Sequence, residues 1–449
     1  MVRVSCPALV VAAPSSGSGK TTIVAAIARY FTNLGKKVRV FKTGPDFIDP
    51  AFLALASKHP VYQLDFWMCG ERHCKQLVGQ AAQEADLILI EGVMGMFDGK
   101  CSSADIAAAL GIPVLAVIDA GKMAQTFGAI AHGLASFRQD IEMYGVFANR
   151  VGSEGHSEML KASLPSSLKY FGYLPKDLQM TLPERHLGLV QAQELADIEE
   201  RLDHAASLIA NSGDIALPPM VNFELTVATE LEPVQSLRHV KIAIAKDQAF
   251  SFIYQANIDL LVQMGAQLRY FSPLDGDELP QCDALYLPGG YPELHVEALS
   301  KNDRLKQQIR HHVECDKPVI AECGGMLYLN RTLTDVDGNE AQMCGVLNAD
   351  SVMQSRLAAL GLVEGELVPA QTLRGHTFHY STTKSQENEV CYPESQRGKR
   401  LDPVWGRNSV VASYVHWYFP SNPRLVSRLF RGEVSFVDTP NQKLLEGAV

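Results

Sequence analysis

Two short stretches of this chain carry reactive residue types at spacings that chemistry requires. The first is Pro14-Ser15-Ser16-Gly17-Ser18-Gly19-Lys20-Thr21-Thr22, which follows an apolar run and opens a helical pattern. Glycines there let consecutive backbone N–H groups converge on phosphate oxygens without Cβ clashes. A lysine reaches the β- and γ-phosphates, and a hydroxyl serves magnesium. A helix starting at that point adds its anion-favouring N-terminus. Gly17, Gly19, Lys20, Thr21 and Thr22 are therefore the expected nucleotide-binding residues. Pro14 stands where the usual loop has its first glycine, which points to a subclass of the motif. Further on, Leu87-Ile88-Leu89-Ile90-Glu91-Gly92 is an apolar strand ending in a carboxylate. A phosphate-loop protein organises its metal from that position.

The second reactive stretch is Pro318-Val319-Ile320-Ala321-Glu322-Cys323-Gly324-Gly325-Met326: a buried strand, a cysteine, two glycines and a helical pattern. A sharp strand-to-helix turn lifts the cysteine above its sheet and aims the following N–H groups, that of Gly324 first, at an oxyanion. A separate strand ends in Leu287-Pro288-Gly289-Gly290-Tyr291-Pro292-Glu293, where Gly289 and Gly290 offer further oxyanion donors. A cysteine nucleophile needs a base. The choices are His376 and His379 in Arg374-Gly375-His376-Thr377-Phe378-His379-Tyr380, and His416 in Ser413-Tyr414-Val415-His416-Trp417-Tyr418-Phe419. His416 follows a strand-like run and is the expected base. The other eight cysteines read as packed side chains.

Both stretches need sheets to hold them. Ala8–Ala13, Val38–Lys42, Leu87–Glu91, Val114–Asp119 and Tyr144–Asn149 read as buried strands, with helical patterns at Thr21–Asn33, Ser103–Leu110 and Ala124–Phe137 between them. This alternation predicts a mostly parallel sheet covered on both faces, with helices ending at Gly35 and Gly111. Around Gly213, Pro218, Pro219 and Pro233 the pattern fades. Alternation then resumes with strands Lys241–Ala245, Gln267–Phe271, Ala284–Leu287 and Val319–Glu322 and helices Phe250–Met264 and Asp303–Glu314. The expected division is a P-loop domain over 1–215, a linker over 216–239 and a second α/β domain over 240–449.

Composition narrows the function. With 449 residues and 47% hydrophobic content the chain can bury more than one core. A net charge of −10 argues against nucleic acid as a partner. A local basic pocket for an acidic small molecule remains compatible with that field. Nine scattered cysteines without a Cys-x-x-Cys pair point to a reducing cytoplasm rather than a disulfide framework or structural zinc. The first residues run into a strand rather than a signal-peptide core, and no apolar stretch approaches the roughly 20 residues of a membrane span.

Further motifs join these. They are Lys42-Thr43-Gly44-Pro45-Asp46-Phe47-Ile48-Asp49-Pro50, Glu91-Gly92-Val93-Met94-Gly95-Met96-Phe97-Asp98-Gly99 and Pro183-Glu184-Arg185-His186-Leu187-Gly188-Leu189. With the phosphate loop and its proline, the Pro288–Glu293 turn and the Arg374–Tyr380 run, the chain resembles the cobyrinic acid a,c-diamide synthases of the cobalamin pathway. The resemblance extends over nearly its whole length. It implies a first domain similar to dethiobiotin synthetase and a second similar to class I, triad-type glutamine amidotransferases. The implied reaction amidates the a- and c-acetate carboxylates of cobyrinic acid through an acyl phosphate, using ATP, Mg2+ and L-glutamine. Lys20 and Thr21 are then assigned to ATP, Thr21, Asp46 and Glu91 to the metal, and Lys42, Asp46, Asp49 and Asp98 to the substrate. Cys323 becomes the nucleophile and His416 its base. Lys42, Arg150, Arg185 and His186 are the cations available to a polycarboxylate. A homodimer is left open.

Two residues depart from the family pattern. Tyr418 stands where related glutaminases place a glutamate two residues after the histidine, and Phe47 stands where the synthase motif often has tyrosine. The same chemistry on hydrogenobyrinic acid or a nickel sirohydrochlorin is the alternative. A reading from another class is a nucleotide-dependent switch like the partitioning ATPases, its second domain a binding module with an idle cysteine.

Overall fold

A computed structural model of the chain describes residues 2–177, 184–185, 188–189, 195, 197–212, 215–225 and 235–436. The chain forms two compact units, Met1–Val227 and Ala228–Val449. Among the described residues no helix is long and apolar enough to cross a membrane.

The first unit is built on β1 (Val2–Ala12), β2 (Val38–Thr43), β3 (Tyr62–Leu64), β4 (Leu87–Glu91), β5 (Val114–Asp119), β6 (Met143–Val151) and β7 (Lys169–Pro175), in the spatial order β3-β2-β4-β1-β5-β6-β7. All neighbours on this path are parallel. Apolar runs such as Leu87–Ile90 are buried on both faces, as a parallel sheet between helices demands. Helix α1 (Lys20–Asn33) follows β1, and α2 (Ile48–Ser57) follows β2. Strand order reverses around β1. The phosphate loop, Thr43, Glu91, Asp119 and Asn149 therefore gather at the carboxyl ends of neighbouring strands, where open α/β sheets bind ligands.

Part of the expected linker is a strand. β8 (Met220–Leu225) pairs antiparallel with the first half of β1, Val2 opposite Leu225 and Pro7 opposite Met220. Val221 and Phe223 face inward while Met220, Asn222 and Glu224 face out. This is the alternation of a half-buried edge strand, obscured in the sequence by Pro218 and Pro219. Residues 226–234 of that segment lie outside the described residues.

The second unit has a seven-stranded sheet ordered Gln267–Phe271, Lys241–Ala245, Ala284–Leu287, Val319–Glu322, Val410–Ser413, Val404–Arg407, Asn388–Cys391. The first five are parallel and the last two antiparallel. Sequence periodicity did not foresee the long hairpin Ala359–Val368 with Gln371–His379, which carries the Arg374–Tyr380 motif and pairs with Val415–Trp417. The helix expected over Phe250–Met264 is shorter, Gln255–Gln263. Asp247 accepts from the N–H groups of Ala249 and Phe250, and Phe252 N–H donates to Gly289 O (3.0 Å). These bonds hold the preceding residues extended across the Gly289 turn.

The first unit's core predicts its own sensitivity. Phe147 is fully buried at the centre of β6, with its ring 6.5 Å from that of Phe171. Phe147→Ala should lower unfolding free energy by about 4 kcal/mol, as large-to-small core changes do. Urea titration followed by fluorescence measures this, and a loss below about 1 kcal/mol would contradict the packing described.

Candidate active site

The phosphate loop is held open by the backbone. Gly17 and Gly19 have φ of 76° and 90°. At Gly19 a Cβ would lie 2.1 Å from Asn149 Nδ2, because that amide donates to Ser18 O (2.9 Å) from the end of β6. Only glycine combines this φ with this approach. Lys20 is buried, and its Nζ donates to Met94 O (2.7 Å) and Ser15 O (3.2 Å), folding the ammonium over the loop. Met94 itself has φ of 51°. Thr21 and Thr22 lie in the first turn of α1.

Below the loop lies a buried charge cluster. Lys42 Nζ is 2.7 Å from Asp49 Oδ2, 2.9 Å from Glu91 Oε1 and 3.7 Å from Asp46 Oδ2. Thr21 Oγ1 donates to the same Glu91 oxygen at 2.7 Å. Burial opposes a charged Lys42, but the attraction of Glu91, Asp49 and Asp46 wins and raises its pKa. Burial followed by Asp49's charge raises Asp46, and burial also raises Glu91. Asp46 Oδ1 accepts from the N–H groups of Ile48 (2.8 Å) and Asp49 (3.3 Å) at the start of α2. Among the described residues no three metal-ligating side chains stand as a ready cage, since Lys42 occupies the space between them. No donor among them reaches Glu91 Oε2, which is buried. A buried carboxylate oxygen without a partner, next to a threonine hydroxyl, suits a magnesium ion that keeps much of its water.

The remaining candidates of this unit are placed differently. Asp98 Oδ2 accepts from Gly95 N–H (3.0 Å) and so closes its own turn. Arg150 pairs with Asp119. Arg185 lies in a two-residue strand opposite Gly188. Its side chain, like His186, lies outside the described residues.

In the second unit Cys323 sits between strand Val319–Glu322 and helix Gly324–Leu329 with φ of 42° and ψ of −106°. A non-glycine residue held there stores about 1–3 kcal/mol of strain. The Gly289 turn closes over it. A Cβ at Gly289 would lie 2.2 Å from His416 Cε1, 2.9 Å from His416 Nδ1 and 3.3 Å from Cys323 Cβ, so imidazole and thiol share one small space. His376 stacks on His416 with centroids 4.9 Å apart, and shares a 2.6 Å hydrogen bond with Tyr254 through Nδ1. His379 stacks instead on Tyr414, its Nε2 3.3 Å from Asp402. Of the three histidines, His416 is the one brought to the cysteine through this turn.

Comparison with known proteins agrees with this division of labour. A family model described as the CobQ/CobB/MinD/ParA nucleotide binding domain matches residues 9–190. One described as the CobB/CobQ-like glutamine amidotransferase domain matches residues 241–424. A hydrogenobyrinate a,c-diamide synthase of Stutzerimonas stutzeri is 53% identical, covering 96% of this chain and 100% of its own. Its namesake in Pseudomonas aeruginosa is 50% identical over 96% and 98%. A cobyrinate a,c-diamide synthase of Herminiimonas arsenicoxydans is 42% identical over 94% and 95%. The chain belongs to the a,c-diamide synthase family.

Several supporting residues of this family's two units carry little or no sequence signal. Glu322, buried beside the cysteine, accepts from Tyr286 OH (2.9 Å) and from the backbone N–H of Trp417 (3.0 Å). It thereby ties the nucleophile's strand to the residue after His416. A glutamate inside an apolar strand gave a hint, but its partners are 36 and 95 positions away. Asn149 and Tyr254 were likewise invisible, since their roles depend on tertiary approach.

Burial favours the neutral form of both side chains. Burial pushes the Cys323 thiol well above its ordinary value, with the charge of Glu293 adding to the effect. Burial pushes His416 well down, with His376 and His379 contributing. A raised thiol pKa leaves little thiolate at pH 7, and the fraction grows tenfold per pH unit. Iodoacetamide should therefore modify Cys323 slowly at pH 7 and faster at each step to pH 9 without a plateau, as read by mass spectrometry. A plateau below pH 8 would instead reveal a preformed thiolate–imidazolium pair. Gly289→Ala should displace His416 and reduce glutamine hydrolysis by about 100-fold, the scale of an ångström misplacement. Glutamate release measures this, and an undiminished rate would refute the shared space.

Proposed function

We propose that this chain is an ATP- and glutamine-dependent ligase that amidates the a- and c-acetate carboxylates of a cobyrinic-type corrin. The observation carrying this reading is the juxtaposition of Cys323 and His416 at the Gly289 turn, on a chain that also bears a phosphate loop. Lys20 and the backbone N–H groups from Gly17 to Thr22 hold the phosphates of ATP. Thr21, Glu91 and Asp46 are the residues for magnesium. Asp49 and Asp98 belong to the side of the site that takes the carboxylate substrate, and Lys42 acts there through its buried ion pair with Asp49 rather than by facing the substrate. Bound MgATP supplies the phosphoryl group that converts an acetate into an acyl phosphate, giving ammonia a leaving group it can displace.

Ammonia comes from the second unit. As Cys323 Sγ attacks the side-chain amide carbon of glutamine, its proton passes to His416. Backbone N–H groups of Gly289, Gly290 and Gly324 meet the developing oxyanion. His416 then gives the proton to the leaving nitrogen, ammonia departs, and water hydrolyses the thioester to glutamate. An initially neutral pair suits this sequence, since His416 becomes charged only as the thiol loses its proton. All nine cysteines are free, which suits a cytoplasmic enzyme.

The relatives at 53% and 50% identity are named for hydrogenobyrinate, and the one at 42% for cobyrinate. That order supports the metal-free corrin as the substrate. The test is product mass analysis with MgATP, glutamine and, separately, hydrogenobyrinic acid, cobyrinic acid and nickel sirohydrochlorin. Two amide additions to hydrogenobyrinic acid are expected. No amidation of either corrin would reject the proposal. Lys20→Ala should abolish synthesis from glutamine and from ammonium salts alike. Cys323→Ser should lose glutamine-dependent synthesis only, and failure with ammonia too would show that the two half-reactions are not separable.

A further inference from the structure

Glu293 is a carboxylate that the mechanism above does not use. It lies on the single turn Pro292–Leu294 that follows Gly289 and Gly290. That turn packs on the nucleophile's own. A Cβ at Gly324 would lie 2.8 Å from Pro292 Cδ and 3.0 Å from Gly290 N. Glu293 is half-buried, and among the described residues no Lys, Arg or His pairs with it. Burial raises its pKa to about 7, partly offset by its own backbone N–H. Its charge also acts on the Cys323 thiol, so it lies within electrostatic reach of the reacting sulfur. The neighbouring acid, Glu322, is occupied on both oxygens by Tyr286 and Trp417.

A partly buried carboxylate beside a nucleophile, lacking a cation of its own, is stabilised by a ligand that brings one and completes its burial. Glutamine does. Its α-ammonium lies roughly 5 Å from the amide carbon in an extended chain of standard bond lengths. We infer that Glu293 is the anionic subsite for the α-ammonium of glutamine, and that it selects the free amino acid over amides lacking that charge. This rests on the glutaminase reading of the Cys323 unit and extends it to recognition of the donor.

The experiment compares hydrolysis of L-glutamine with that of glutaramate, the same amide and carboxylate without the amino group, by the full-length protein. Wild type should prefer glutamine by at least about 100-fold in kcat/KM, because a site built for a polar group rejects the analogue lacking it. Glu293→Gln, nearly isosteric, should lower kcat/KM for glutamine by about 100-fold, mainly through KM. The same variant should leave the rate with glutaramate within about threefold, collapsing the preference. Glu293→Asp should recover part of it. An unchanged glutamine-to-glutaramate ratio in Glu293→Gln, while wild type hydrolyses glutamine, overturns this inference alone. A wild type that hydrolyses neither amide overturns the glutaminase reading beneath it. An equal loss with both amides would make Glu293 a structural support and equally overturn the subsite.

Discussion

The ammonium of Lys42, buried among Asp49, Glu91 and Asp46, is the interaction on which the first unit's site depends. An ion of that size costs several kcal/mol to bury, and removing a partner from such a pair leaves an uncompensated charge. Lys42 lies in β2, Glu91 ends β4, Asp49 lies in the first turn of α2, and Thr21 in the first turn of α1 joins through Glu91. One cation thus fixes the ends of two strands and the starts of two helices. The same carboxylates that neutralise Lys42 are those suited to magnesium. The cluster therefore carries a positive centre whether or not a metal is bound, and the second oxygen of Glu91 is the part that Lys42 leaves unsatisfied. Phe47 sits inside this motif without a hydroxyl, and Asp46 beside it accepts from the first N–H groups of α2.

The two units solve opposite electrostatic problems. Phosphoryl transfer gathers negative charge, so the first unit concentrates lysines and carboxylates around a loop of N–H donors. Amide cleavage must yield unprotonated ammonia, and a buried imidazole among aromatic rings starts the cycle in its neutral form. Phe252 lies with its ring 6.0 Å from that of His416, and His376 stacks on the same imidazole. His376 is held neutral, its pKa driven down to about 3 by burial. The packing that lowers the pKa of His416 keeps its imidazole unprotonated in the free protein, the form that can take the proton of the thiol.

Legibility in the sequence followed the range of the interactions involved. The buried parallel strands Leu87–Glu91, Val114–Asp119, Lys241–Ala245 and Val319–Glu322 coincide with their apolar runs, because a strand covered on both faces needs no alternation. The phosphate loop and the cysteine turn were readable because their chemistry demands a local order of residue types. What was not readable was set by distant partners. Met220–Leu225 became a strand because β1 extends beyond the parallel sheet and offers an edge. The helix after Asp247 started late because Phe252 is drawn onto Gly289. Lys42, expected to meet a substrate, is turned inward by carboxylates contributed from two other elements.

Tyr418 shows how the second unit orients its base where related glutaminases have a glutamate. The side chain is fully buried, and its ring lies 5.5 Å from that of Tyr254. A carboxylate there would be a desolvated charge among aromatic rings, which costs far more than it returns unless paired. Orientation of His416 comes from its surroundings instead. The His376 ring fixes its plane, and the space left by Gly289 admits its edge. The following N–H is tied to Glu322, immediately before the nucleophile. An acid hydrogen-bonded to the imidazole would stabilise imidazolium throughout the cycle, whereas restraint through backbone and stacking holds the geometry without favouring the charge. The acid on the nucleophile's strand, Glu322, instead positions the main chain that follows His416.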